Sequence, residues 1–381
     1  MAGIMQCHSS VTPACRFLEL DICRWAFAVT MGVSALTFTM PLHAQARAGY
    51  TVTEYARLDN PGASKLIRQI NTAGEVVGAF RPSSRVASKA LIFRATGTSE
   101  IVGDQGIGYS AAYGINDQGE VVGAFNTKVS LRPFRAVGNN GFQPLDLLPG
   151  SNGGIAYGIN VEGEAAGYVS GPDGIQPVWW TRSGAVHLLP SAPNVTTRAL
   201  GLNGSGDIVG VSGDDISSAV LWAKKGSIVN LGTLPGFTHS EAVSINESGV
   251  IAGVATGVGQ FSNRSRAVIW GLAGQAAQDL GVLPGGDSSR ARDINARGEV
   301  VGTSTSADGN RAFIWTAATG MLDLNTLITV PGLVITDALG INSRGDIVVA
   351  GHDAVQGTSA GIDAHEEHEQ PLRITILSPR Q

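Results

Sequence analysis

The stretch Ile115-Asn116-Asp117-Gln118-Gly119-Glu120-Val121-Val122-Gly123 decides the fold, because the chain repeats its pattern seven times. Every copy keeps an asparagine and, three residues later, a glycine. The pairs are Asn71 and Gly74, Asn116 and Gly119, Asn160 and Gly163, Asn203 and Gly206, Asn246 and Gly249, Asn295 and Gly298, and Asn342 and Gly345. Successive asparagines lie 45, 44, 43, 43, 49 and 47 residues apart. Such a regular period predicts an architecture built from repeated units.

Each copy has the chemistry of a tight β-hairpin. Asparagine suits the first position of a type I turn because its side chain bonds the backbone two residues on. Glycine readily takes the left-handed conformation that closes such a turn. Short β-branched runs flank the turn, such as Glu120-Val121-Val122. The pattern therefore predicts two strands joined by each turn.

Two further strands complete each unit. One ends in an aromatic residue, as in Ala312-Phe313-Ile314-Trp315, and the other ends in Leu-Pro-Gly, as in residues 279–285. Four strands per repeat predict an all-β fold, a seven-bladed β-propeller of four-stranded antiparallel blades. A parallel β-helix is the alternative, although its rungs are usually shorter.

The two ends of the chain are complementary. Residues 50–59 form a strand pattern without its own hairpin, whereas the last repeat offers three strands, at 338–342, 346–350 and 372–377. We expect the N-terminal strand to complete the last blade and close the ring, which removes free sheet edges. One propeller domain then spans residues 47–381, with a long loop at 351–371.

The Ala-x-Gly-Ile strand is expected to lie innermost. At alternate positions it carries small residues, which we expect to share one face where blades crowd around the axis: Ala112, Gly114, Ala156, Gly158, Ala199 and Gly201. The aromatic ends of the third strands are expected to pack between blades farther out: Phe93, Trp222, Trp270 and Trp315.

The first 46 residues differ from the rest. An apolar run from Trp25 to Met40 precedes small residues at Ala44 and Ala46, which predicts a signal peptide over residues 1–46. A membrane anchor is the alternative, but about 20 apolar residues are needed to span a bilayer. All three cysteines precede the run, so the mature chain has none. We expect an exported monomer, periplasmic or extracellular, without stable membrane insertion after cleavage.

The repeat motifs Ala312-Phe313-Ile314-Trp315, Asp279-Leu280-Gly281 and Ile-Asn-x-x-Gly resemble the bacterial extracellular repeat proteins of the HAF family over nearly all of residues 50–350. The chain departs from the family's His-Ala-Phe triplet. The histidine position holds Lys89, Arg132, Gln176, Ser218, Arg266 and Arg311. The resemblance implies export and repetition, and no defined activity.

Candidate binding residues lie on the loops opposite the Asn-x-x-Gly turns, because those loops vary in length while the turns do not. Lys89, Arg132, Arg266 and Arg311 recur just before the third strand, and a partial ring of these residues would suit an acidic glycan or carboxylate. Solvated charges at strand ends are the alternative. The net charge of -5 and a pI near 5.8 argue against nucleic-acid binding.

A second candidate is a metal site in the last long loop, formed by His352, His365 and His368 with nearby carboxylates. These ligands suit zinc, but the spacing is not the His-Glu-x-x-His of metalloproteases. No cofactor is predicted.

The sequence thus predicts a non-catalytic binding module for a protein or glycan on the loop face. A propeller enzyme acting on a polysaccharide or ester, as a hydrolase or lyase with carboxylates on the loop face, is the alternative. Asp214, Asp215, Asp287 and Asp293 offer paired carboxylates, but their spacing does not support a glycosidase assignment, and no catalytic residue is predicted. A structural surface repeat is a third possibility.

Overall fold

The computed structural model of the protein describes residues 49–58, 64–81, 87–94, 98–102, 108–137, 142–257, 264–271, 276–328, 330–354 and 372–380. They form seven four-stranded antiparallel sheets, which confirms the predicted seven-bladed β-propeller. Within these ranges, short 3-10 helices lie at Ala223–Lys225 and Leu324–Leu327, and no helix is long and apolar enough to cross a membrane. The predicted signal peptide lies outside the described residues.

Blades are numbered here in chain order, and their strands are given from the axis outward. Blade 1 comprises Ser64–Ile70, Val76–Arg81, Lys89–Phe93 and Ser99–Ile101; blade 2 comprises Ser110–Ile115, Glu120–Asn126, Leu131–Val137 and Phe142–Pro144; blade 3 comprises Gly153–Ile159, Ala165–Gly171, Gly174–Trp180 and Val186–Leu188. Blade 4 comprises Thr197–Leu202, Ile208–Ser212, Ser218–Trp222 and Ile228–Asn230; blade 5 comprises His239–Ile245, Ile251–Thr256, Ser265–Trp270 and Gln278–Asp279; blade 6 comprises Ser289–Ile294, Val300–Ser306, Gly309–Thr316 and Gly320–Asp323.

Blade 7 joins the two ends of the propeller. Its strands are Leu333–Ile341, Ile347–Asp353, Leu372–Pro379 and, outermost, Tyr50–Leu58. The outer pair is antiparallel, with Tyr50 opposite Pro379, so the predicted closure by the N-terminal strand is confirmed. Arg373 reinforces it, because its guanidinium contacts the Glu54 carboxylate at 2.7 Å and the Asp353 carboxylate at 2.9 Å.

The predicted start of the long loop, at residue 351, is wrong. The second strand of blade 7 continues to Asp353, because Gly351 and His352 pair with Arg373 and Leu372 of the third strand. Residues 355–371 lie outside the described residues.

A closed circle of hydrogen bonds joins all seven blades at the Asn-x-x-Gly turns. The side-chain Nδ2 of each repeat asparagine donates to the backbone carbonyl of the asparagine in the next blade, at 2.9–3.2 Å. The last of these bonds runs from Asn342 back to Asn71. All seven side chains are buried.

The same side chain also closes its own turn. Each asparagine Oδ1 accepts the backbone N–H four residues on, for example that of Glu120 at 2.9 Å from Asn116. The glycine N–H bonds the asparagine carbonyl, and all seven turn glycines have φ between +75° and +88°. The position needs a donor and an acceptor on one short side chain, which aspartate and serine do not combine at this length.

Each inner strand carries a β-bulge three residues before its asparagine. In blade 2, Ala112 pairs with Gly123 and Gly114 with Val122, so Tyr113 is the extra residue. The other six inner strands shift register at the equivalent position.

The bulge corrects the prediction that small residues such as Ala112 and Gly114 share one face. Ala112 packs against blade 1, in a cluster with Val77 and Ile92. Gly114 faces blade 3, where an added Cβ would lie 2.7 Å from the Tyr157 carbonyl oxygen. The extra residue between them reverses the alternation of side chains.

Aromatic side chains fill the space between blades, as predicted. Trp222 and Trp270 are fully buried, and Phe93 and Trp315 are each 7% exposed. The cluster around Trp270, for example, includes Val209 and Leu221 of the preceding blade. The core is therefore a series of interfaces between neighbouring blades.

We predict that Asn116→Ala destabilises the protein more than Asn246→Ala. Asn116 also donates to the Glu120 carboxylate at 2.9 Å, whereas blade 5 has Val250 at that position. Expected losses in the free energy of unfolding are about 2–3 kcal/mol and about 1–2 kcal/mol. Denaturant unfolding measures both, and equal losses would show that the carboxylate bond contributes nothing.

Gly298→Val should reduce the free energy of unfolding by roughly 1–2 kcal/mol, because a β-branched residue resists positive φ. The site isolates this backbone effect, since no atom lies within 4 Å of an added Cβ. Gly206→Val should also cost more than roughly 1 kcal/mol. An unchanged melting temperature in Gly298→Val would contradict the turn assignment, and Gly298→Asn, which tolerates this conformation, is the control.

Candidate binding site in the axial channel

The four basic residues predicted on the loop face lie in different blades. Lys89, Arg132, Arg266 and Arg311 belong to the third strands of blades 1, 2, 5 and 6, two strands away from the axis. Arg266 is engaged by its own blade, with its Nε 3.6 Å from the Asp279 carboxylate, and Arg311 donates to the adjacent Asn310 carbonyl. The structure does not bring the four side chains to one point.

Of the three predicted metal ligands, the structure describes His352 alone. His352 lies in the second strand of blade 7, with its Nδ1 2.9 Å from the Asp353 carbonyl oxygen. His365 and His368 lie outside the described residues. Within the described ranges, no group of three or more His, Cys, Asp or Glu side chains is placed to hold a metal ion.

A cavity of about 790 Å³ lies on the axis, surrounded by the seven inner strands. The bulged residue of every blade lines it: Arg68, Tyr113, Tyr157, Leu200, Val243, Arg292 and Leu339. Ligand pockets typically measure about 300–1,000 Å³. The axial channel is therefore large enough for a small molecule, and the bulge determines which side chains it presents.

One side of the channel is an aromatic surface, called here the tyrosine wall and formed by Tyr113, Tyr157 and Tyr168. Tyr113 and Tyr157 meet edge to face with ring centroids 5.3 Å apart, and Tyr157 and Tyr168 are 5.9 Å apart. A guanidinium lies over each end, Arg68 at 5.5 Å from the Tyr113 ring and Arg198 at 5.8 Å from the Tyr168 ring. The wall with its two arginines extends over blades 1–4.

The wall tyrosines stay protonated at physiological pH. Burial raises the pKa of Tyr113, and a hydrogen bond with the Tyr109 hydroxyl, 3.1 Å away, adds to this effect. Burial also raises the pKa of Tyr157. These hydroxyls can donate hydrogen bonds to a ligand, and they are poor proton acceptors.

Glu241 is a carboxylate that lines the channel from the inner strand of blade 5. Burial raises its pKa, while the positive charges of Arg290, Arg198 and Arg292 oppose the shift. In the part of the chain that the structure describes, its carboxylate has no hydrogen bond and no ion pair within 4.0 Å. Glu241 is therefore available to a ligand.

The other acidic residues of the channel have structural roles. The Asp293 carboxylate accepts bonds from Ser244 Oγ at 2.7 Å and from the Ile341 N–H at 3.0 Å, and so links blades 5, 6 and 7. Burial raises the pKa of Asp293, although these hydrogen bonds act to lower it. Asp117 and Glu247 accept backbone N–H groups of the preceding blade, at Thr72 and Gly204.

Among the described residues, three arginines of the channel lack the ion pairs that many other arginines make. Ion pairs engage the guanidinium groups of Arg94, Arg135, Arg182, Arg266, Arg297, Arg344 and Arg373. No carboxylate of the described residues lies within 4.0 Å of the guanidinium nitrogens of Arg68, Arg198 or Arg292. These three arginines line the channel.

The sequence analysis did not identify the channel residues. The sequence did contain a signal for them, because the bulge position varies among Arg, Tyr, Leu and Val, while the flanking residues are small in most repeats. Tyr168 gave no such signal, since it reaches the wall from a second strand, where it pairs with Ile155.

Glu241→Gln should stabilise the protein at neutral pH. Folding raises the pKa of this carboxyl above its value in the unfolded chain, which is ordinarily near 4.5. The protonated carboxyl therefore contributes its full stability below the unfolded pKa, and that stability is lost as pH rises through the folded pKa. The variant should therefore unfold at higher denaturant concentration than wild type at pH 7, and at the same concentration at pH 4. An equal difference at both pH values would contradict the assigned environment.

Comparisons with known proteins bear on the fold. No family model and no curated protein sequence matches the chain. Among solved structures it is similar to a streptogramin B lyase, with 12% identity, a TM-score of 0.51, and coverage of 88% of this chain and 100% of that one. The β-propeller domain of the trilobed protease from Pyrococcus furiosus gives 14% identity, a TM-score of 0.51, and coverage of 76% and 92%.

A prolyl endopeptidase gives 12% identity and a TM-score of 0.53, with coverage of 87% of this chain and 50% of that one. The chain thus spans half the length of that enzyme. At these identities, the likeness establishes that the chain has the β-propeller fold.

Proposed function

We propose that this chain is an exported, non-catalytic binding module whose ligand occupies the axial channel. The observation that carries the proposal is the tyrosine wall, which places three aromatic rings and two guanidinium groups on one side of a cavity of about 790 Å³. Aromatic faces combined with a few polar groups are typical of small-molecule sites. Export rests on the sequence pattern of residues 1–46, in agreement with the HAF resemblance.

Binding is favoured over catalysis by the state of the polar groups. The tyrosine hydroxyls are held neutral, which disfavours them as bases. The Asp293 carboxylate is engaged by three hydrogen bonds, from Ser244, Ile341 and Ile294. These arrangements suit a site that orients a ligand.

An enzyme acting on a polysaccharide or ester is the second candidate, and Glu241 is the observation that favours it. A carboxyl with a raised pKa that faces a cavity can serve as a general acid or base. The similar structures include a lyase and peptidases, but they share only the fold with this chain.

The test is a binding screen of the purified protein against oligosaccharides, peptides and small organic acids by calorimetry, with products analysed in parallel. For any compound that binds, we expect Tyr157→Ala to weaken binding at least tenfold, since a lost ring contact costs about 1.4 kcal/mol or more. Far-UV circular dichroism confirms that each variant is folded.

The matched control is Leu188→Ala. Leu188 is 51% exposed and lines a separate cavity of about 540 Å³ formed with residues 190–195. Binding that depends on Leu188 and is insensitive to Tyr157 would overturn the axial site. Released products that disappear in Glu241→Gln, with binding retained, would establish the enzyme instead.

A further inference from the structure

We propose that the axial channel selects an acidic sugar, a ring that carries both a carboxylate and hydroxyl groups. This inference rests on the proposed function and specifies its ligand. Two features of the channel favour a ligand of mixed character. Among the described residues, no carboxylate lies within 4.0 Å of the guanidinium groups of Arg68 and Arg198, and no group donates a hydrogen bond to the Glu241 carboxylate.

The arginines of the channel favour a ligand with an anionic group. Arg68 and Arg198 flank the tyrosine wall, and neither has a carboxylate of the described residues within 4.0 Å. A guanidinium binds a carboxylate through two parallel hydrogen bonds. The acidic groups at the mouth, Asp117 and Glu247, are bonded to backbone N–H groups of neighbouring turns. A ligand carboxylate is therefore the natural partner of Arg68 or Arg198.

Glu241 favours a ligand that carries hydroxyl groups. As a carboxylate it can only accept hydrogen bonds, so its partner on the ligand must be a donor. A ligand hydroxyl donates a hydrogen bond to Glu241 without carrying a negative charge of its own. A planar aromatic acid without hydroxyls would satisfy the arginines and leave Glu241 unpaired.

The tyrosine wall is compatible with a sugar ring. Tyrosine offers an apolar face and a polar edge, so it can contact ring C–H groups while its hydroxyl reaches ligand oxygens. The wall hydroxyls are kept protonated and can donate to those oxygens. The three features together distinguish a sugar acid from a neutral sugar and from an aromatic acid.

The test uses three probes in calorimetric titrations of the purified protein: trigalacturonate, its carboxyl-reduced neutral trisaccharide, and benzoate. Trigalacturonate is expected to bind at least tenfold more tightly than either of the others. Arg68→Gln and Arg198→Gln should each reduce its affinity about tenfold and leave the neutral probe unaffected. Arg68→Lys and Arg198→Lys keep the charge but lose the paired hydrogen bonds, so an intermediate loss is expected.

Arg311→Gln and Arg266→Gln are the matched controls, because they remove a charge of the same kind from the third strands. They should leave the binding of trigalacturonate unchanged. If the binding of trigalacturonate depends on Arg311 or Arg266 and is unaffected by substitution of Arg68 and Arg198, both this inference and the axial site are wrong.

Other outcomes separate the two proposals. Equal affinity for the acidic and neutral probes, with binding lost in Tyr157→Ala, would overturn the acidic-sugar inference and leave the axial site standing. Equal affinity for benzoate and trigalacturonate would overturn the need for hydroxyls. If none of the three probes binds but another compound of the screen binds through Tyr157, the inference falls and the proposed function stands.

Discussion

The structure depends on the closed circle of seven hydrogen bonds between the asparagine side chain of one blade and the asparagine carbonyl of the next. The circle lies at the axis, where all blades meet, and each donor also fixes its own turn. Because every bond links two neighbours, the position of one blade constrains the next. The repeat therefore encodes local turns and the global ring with the same residue.

The circle of hydrogen bonds and the bulge together separate the residues that hold the blades in place from the residues that line the channel. In blades 2–7, the residues on either side of the bulge face neighbouring blades and have small side chains or make inter-blade hydrogen bonds such as that of Asp293. The bulged residue faces the channel and is free of that restriction. One position per blade can thus change its chemistry without disturbing the ring. Arg68, Tyr113 and Tyr157 of blades 1–3 use this freedom.

Much of the fold could be predicted from the sequence, because repetition gives the same local signal seven times. The Asn-Gly spacing indicated the turns, and the unmatched strand at 50–59 indicated the closure. The bulge could not be predicted, since the alternation of Ala112 and Gly114 looks regular until strand pairing is known.

The candidate site was harder to predict than the fold. Recurrence of basic residues at Arg266 and Arg311 marks a position in the repeat, and a position shared by separate blades does not create a common site. The tyrosine wall combines side chains from two inner strands with Tyr168 from a second strand. Such a cluster depends on contacts between blades that a single repeat does not contain.

The most direct test of the account is hydroxyl-radical footprinting of the purified protein with and without saturating trigalacturonate, read by mass spectrometry. We expect oxidation of Tyr113 and Tyr157 to fall in the presence of the sugar, while exposed residues of the loop face, Val129 and Leu188, react as before. Protection of Val129 or Leu188 with unchanged reactivity of the two tyrosines would contradict the axial site.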